Sequence, residues 1–209
     1  RPRPNLGVMT NQTIRPTTSR AVLAAAFLLA TCAPAPDPTA EAIPRDAFWD
    51  ALAALCGQAF EGTVVESVPP DTAFDRSRMV MHIRECGDDE IRVPFHVGED
   101  RSRTWVLTRT ADGLRLKHDH RHEDGTSDDL TMYGGDTDVP GTATRQSFPA
   151  DSATAAMLPV AATNVWTLEL EPGETFAYAL RREGTDRRFR AEFDLTRPVE
   201  PPPPPWGAE

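Results

Sequence analysis

Lysine is almost absent from this chain, with Lys117 standing alone against 21 arginines. The skew is that of a GC-rich genome and points to no mechanism. A basic excess is missing as well. The formal net charge is −10, and the first 31 residues hold four arginines and no acid, so the remainder carries −14. A surface of that sign repels phosphate backbones, which argues against nucleic acid as a partner. Long apolar runs are lacking, since "AVLAAAFLLA" at 21–30 is too short to span a bilayer as a helix. There is no Gly-rich phosphate loop, no nucleophile elbow and no helical HExxH, so the common signatures of nucleotide, ester and zinc-protease chemistry are absent. Only three cysteines occur, Cys32, Cys56 and Cys86, and none has an activating Cys/His arrangement nearby.

What is present begins with an address. Residues 1–8 read as an extension upstream of an export signal that starts at Met9, with Arg15 and Arg20 ahead of the apolar stretch. Leu29-Ala30-Thr31-Cys32 resembles a lipobox, which implies that residues 1–32 are extension and signal and that Cys32 carries a lipid. Thr31 departs from the small residue usual there, and the alternatives are a cleaved signal without a lipid or an unprocessed apolar helix. Ala33 lacks the aspartate that resembles an inner-membrane retention signal, which favours the outer membrane of a bacterial cell envelope. In an exported chain Cys56 and Cys86 form an even pair, and a disulfide between them is expected, the alternative being two buried thiols. Residues 33–44 form a Pro/Ala-rich linker, 45–196 the folded domain, and 197–209, with five consecutive prolines, a solvated polyproline tail.

The domain opens with helical spacing of Phe48, Leu52 and Leu55, which Asp46 can start and Gly57 can end. The period then changes to two. About ten alternating segments follow, among them 78–86 and 128–134, several joined by tight turns such as "GDD" at 87–89 and "ADG" at 111–113. A meander of that many strands removes its edges by closing, so the expected fold is an all-β, antiparallel up-and-down barrel of calycin (lipocalin-like) type with one N-terminal helix. A two-sheet sandwich is the alternative, because Pro94 and the region 134–164 could interrupt the meander. Residues 149–163 read as an irregular connection or short helix.

Three of five histidines lie at alternate positions in "GLRLKHDHRHE", and His118, His120 and His122 share the parity of Leu114 and Leu116. Alternation therefore turns them inward. Residues two apart on one strand face stand roughly 6.5–7 Å apart, so only one HxH pair can reach a single ion. A divalent metal such as zinc would need a further ligand. His82 is the better inward candidate, Asp128, Asp129 or Glu169 could supply oxygen, and His96 is expected to face out. The more ordinary reading is a set of hydrogen-bonded histidines at a barrel mouth, or a pH-sensitive cluster. "TMYGGDTD" at 131–138 offers a weak calcium-like cluster of oxygens, and the arginines at 181, 182, 187, 188 and 190 read as a chiefly solvated face.

"RTWVLTRT", "LKHDHRHEDG", "TMYGG", "SFPAD" and "NVWTLEL", in this order, resemble a group of bacterial secreted or lipoprotein-type proteins. The resemblance covers most of 48–196. It implies no established activity and transfers no functional residue. The expected function is therefore a lipid-anchored envelope protein whose barrel binds a small apolar ligand without catalysis. Alternatives are a metalloprotein or metal-dependent hydrolase using an HxH pair, and a structural envelope protein that holds a protein partner.

Overall fold

The computed structural model describes residues 43–208. The expected signal, the lipidation site Cys32 and nearly all of the linker lie outside the described residues. The elements are α1 (Pro44–Ala53), β1 (Ala59–Val68), α2 (Thr72–Asp75), β2 (Met79–His82), β3 (Glu85–Cys86), β4 (Glu90–Val97), β5 (Asp100–Arg109), β6 (Leu114–His120), β7 (Tyr133–Asp136), β8 (Arg145–Pro149), α3 (Ser152–Met157), a 3-10 turn (Pro159–Ala161), β9 (Asn164–Glu171), β10 (Thr175–Arg182) and β11 (Arg188–Val199).

One sheet runs β7-β6-β5-β4-β2-β1-β11-β10-β9-β8, with β3 added against β4, and every pairing is antiparallel. Apart from β2–β3 and β7–β8, strands consecutive in sequence are neighbours in the sheet, and β1 meets β11, so the meander curls into a nearly closed barrel rather than a sandwich. The remaining seam lies between β7 and β8. The amide of Asp151 donates to the Gly134 carbonyl at 3.0 Å, and the Thr154 hydroxyl both accepts from Gly134 N–H (2.7 Å) and donates to its carbonyl (2.8 Å). A Cβ on Gly135 would overlap the Pro149 carbonyl, so the close approach of the two edges requires glycine there. "TMYGG" is thus the seam, and Asp136 beyond it pairs with Arg115 rather than contributing to a calcium site.

One end is plugged. Pro44 sits in the first turn of α1, where its missing N–H costs nothing, and Phe48, Trp49 and Leu52 are buried in the barrel core. Each such burial stabilises by about 1.5–3 kcal/mol. Asp46 does not cap the helix; its carboxylate binds Arg109, whose guanidinium lies 4.7 Å from the Trp49 ring centroid. Gly57, at φ 81°, turns the chain back so that its N–H donates to the Ile83 carbonyl at 2.7 Å. Cys56 in the same turn forms a disulfide with Cys86 of β3, closing a separation of 30 residues.

Three local expectations change. The segment expected as a strand at 128–134 forms β7 at Tyr133–Asp136, and 78–86 splits into β2 and β3. The C-terminus is not a solvated tail: β11 continues to Val199, and 200–208 crosses the outer face of the barrel. Prolines 201–205 have no N–H, so the segment offers carbonyls. Arg101 donates to that of Pro204 at 3.1 Å, and the first N–H after the prolines, that of Trp206, donates to the Arg101 carbonyl at 3.1 Å. Pro205 is buried.

Candidate functional site

At the end opposite α1 the barrel stays open around a cavity of about 230 Å³. Its position follows from side-chain size along the inward faces. Phe95 stacks on Trp105 (4.8 Å between centroids) and Trp105 on Tyr178 (4.6 Å), with Phe193 edge-on to Trp105, and this aromatic column floors the cavity. Above it stand His118, His120, Tyr133 and Trp166, and at the mouth Arg103, Arg182 and Arg187. Leu158 and Ala161, from the segment that follows α3, and Phe74 of α2 complete the rim.

His118 is the most constrained group. Burial holds its pKa down to about 3, with His120 and Lys117 adding to the effect and the Tyr133 hydrogen bond opposing it. The ring is therefore neutral. Its Nδ1 lies 3.1 Å from the Tyr133 carbonyl oxygen, which can only accept, so Nδ1 carries the proton. Nε2 is then the acceptor, and the Tyr178 hydroxyl donates to it at 2.9 Å. Burial pushes the Tyr178 phenol well above its ordinary range, against a hydrogen bond from the Trp166 side chain, whose indole can only donate. The polar chain runs in one direction, from Trp166 through Tyr178 and His118 to the Tyr133 backbone.

His120 is less enclosed. Its Nε2 is 3.0 Å from the Tyr133 hydroxyl, and burial and then Arg103 lower its pKa, while Asp128, Asp100 and Asp119 raise it. No hydrogen bond falls on its Nδ1 among the described residues. Burial lifts the Tyr133 phenol to about 12. A neutral histidine beside a protonated phenol can exchange hydrogen bonds with it and with a ligand.

The sequence correctly turned His118 and His120 inward, and the structure brings both to this cavity. Of the other candidate ligands it brings only Asp128 near them, through an N–H that donates to the His120 carbonyl at 3.0 Å. Strand β6 ends at His120, and His122 beyond it is exposed. His82 is corrected to the outer face, because Met79 and Met81 are the inward residues of β2. His96 faces out as expected, yet it is buried, with its Nε2 unpartnered and its pKa held down to about 4, chiefly by burial. Glu169 lies outside, bound to Arg145 and Arg190. Asp129 is exposed, and Asp128 accepts from the Leu130 N–H at 3.0 Å. Among the described residues no group of three or more His, Cys, Asp or Glu side chains could hold a metal ion. The two inward histidines fit a metal poorly for a further reason: Tyr178 occupies the lone pair of His118 that a metal would need.

Sequence reasoning placed Arg182 and Arg187 on a chiefly solvated face and passed over Arg103, although parity carried the signal that all three line the cavity. Arg103 shares the parity of Trp105 and Leu107, Arg182 that of Tyr178 and Leu180, and Arg187 that of Phe189 and Ala191. Three inward arginines therefore meet at the same cavity. Arg181 and Arg190, of opposite parity, do form surface pairs, with Glu183 and with Glu169 and Glu192. No family model, curated protein or solved structure matches the chain, so the chemistry of the site rests on this geometry.

Proposed function

We propose that this is an exported envelope protein, lipid-anchored at Cys32, whose barrel binds a small and largely apolar ligand in the open-end cavity without catalysis. The observation that carries the reading is the cavity itself, walled by aromatic rings above a packed floor at one end of an otherwise filled barrel. At about 230 Å³ it is smaller than the roughly 300–1,000 Å³ of sites for drug-sized ligands, so the occupant is a single-ring molecule rather than a long acyl chain. Export is supported by the lipobox-like 29–32 and by the Cys56–Cys86 disulfide, a bond typical of oxidising compartments.

Two-dimensional NMR with phenol and toluene tests the binding reading. The expected result is shifts at the Trp105 and Trp166 indole N–H signals, lost in Leu180→Trp, which fills the cavity. Absence of such shifts at millimolar probe would sink it. Metabolic labelling with a radioactive fatty acid, in the wild type and in Cys32→Ser, tests the anchor, and an unlabelled wild-type protein would refute it.

A further inference from the structure

The mouth of the cavity contradicts the charge of the chain around it. The protein carries a net −10, yet among the residues lining the cavity there are three arginines and no aspartate or glutamate. Arg182 and Arg187 face each other across the β10–β11 hairpin, where the Arg182 N–H donates to the Arg187 carbonyl at 3.1 Å. Residues paired in this way project to the same face, and like charges placed opposite each other destabilise a sheet. Neutralising acids exist close by but are turned elsewhere: Glu183 binds Arg181, outside the barrel. The Nε of Arg182 donates to the Asn164 side-chain oxygen at 2.9 Å, which orients the guanidinium and leaves its terminal nitrogens uncommitted. Among the described residues the Arg187 guanidinium has no hydrogen bond or ion pair. Arg103 alone is paired, with Asp100.

Below these cations the walls are flat and aromatic. His118 stacks on Tyr133 at 4.6 Å, and Trp166 lies 5.8 Å from Tyr133 and 5.1 Å from His118, all within ring-contact distances. A neutral ring would satisfy the walls and leave two guanidinium groups without an anion. A cation would meet like charge at the rim. Resting on the small-ligand reading above, we infer that the cavity takes a monocyclic aromatic carboxylate, its ring among Tyr133, Trp166 and Tyr178 and its carboxylate held by Arg182 and Arg187. The planar fork of arginine matches a carboxylate with two parallel hydrogen bonds, which a lone point charge would not.

Isothermal titration of the full chain with benzoate, benzamide, benzylammonium, cyclohexanecarboxylate and inorganic phosphate tests this. Benzoate is expected to bind at least tenfold more tightly than benzamide, cyclohexanecarboxylate and phosphate, and benzylammonium not to bind. Arg182→Gln/Arg187→Gln should weaken benzoate at least tenfold and leave benzamide unchanged. Arg187→Gln alone carries the test if the double variant does not fold, since that side chain gives up no partner. Benzamide binding as tightly as benzoate would overturn the inference while leaving the small-ligand reading intact. So would phosphate or cyclohexanecarboxylate matching benzoate, or benzoate affinity unaltered in the variants. If neither benzoate nor benzamide binds, both readings fall.

Discussion

At the end where α1 docks, Phe48, Trp49 and Leu52 enter the barrel, the Cys56–Cys86 bridge ties the following turn to β3, and Arg109 seals the helix through Asp46 and the Trp49 ring. At the opposite end the same inward alternation places Tyr133, His118, His120 and three arginines, and about 230 Å³ stays open. The lesson is that one fold pattern supports opposite tasks at its two ends. Apolar side chains converge at one and satisfy each other. At the other, large polar side chains are held by hydrogen bonds to one another, so they cannot collapse inward to fill the space.

This contrast predicts where stability resides. Phe48→Ala at the closed end should cost about 3–5 kcal/mol in urea unfolding, through the cavity it leaves. If it costs no more than a rim substitution, the contrast fails. Removing the disulfide by Cys56→Ser/Cys86→Ser should cost about 3–4 kcal/mol, from the loop of 30 residues it closes. A loss well under 1 kcal/mol in the same assay would show that the turn is held by its other bonds alone.

At the open end the cost is tied to protons. The His118 pKa falls from 6.5 unfolded to about 3 folded, so the unfolded chain binds the extra proton on acidification. Its contribution is full above about pH 6.5 and is lost as pH falls towards 3, with about 3 kcal/mol of the loss falling between pH 7 and 4. His96, with a folded pKa near 4, adds in the same direction over the window from 6.5 to 4. Thermal unfolding of His118→Gln between pH 7 and 4 should be flatter than that of the wild type; parallel curves would refute this assignment. Smaller again is Tyr178→Phe, which takes the donor from His118 Nε2 and should cost about 1–3 kcal/mol. In that variant the His118 ring resonances report whether the tautomer survives. Least costly is Arg187→Gln, within about 0.5 kcal/mol of the wild type in urea, because its side chain has no partner among the described residues. A larger loss would mean that the mouth is structural.

Much of the site could be read in the sequence because β-alternation is strictly local. It turned His118 and His120 inward beside Leu114 and Leu116, and the same rule applied to 175–189 would have singled out Arg182 and Arg187. It failed at His122, because the period holds only while the strand lasts and β6 ends at His120. His82 was misread because apolar residues fill both faces of β2: Val80 is buried on the outer side and Met79 and Met81 on the inner. Parity cannot choose a face when both are apolar. The tail was misread for another reason, since its partners, Arg101 above all, lie about a hundred residues earlier.

By itself the sequence determined the barrel, its single N-terminal helix, the Cys56–Cys86 pair and the inward direction of two histidines. Each follows from periodicity, from turn residues, or from the chemistry of a pair of cysteines. Only the tertiary structure decided that α1 closes one end and not the other, that glycine and Thr154 join β7 to β8, and that the Tyr178 hydroxyl meets Nε2 of His118. Those outcomes depend on which distant strands become neighbours and on how much volume their side chains leave between them. Local alternation fixes direction along a strand, but the space at the end of a barrel belongs to all its strands at once.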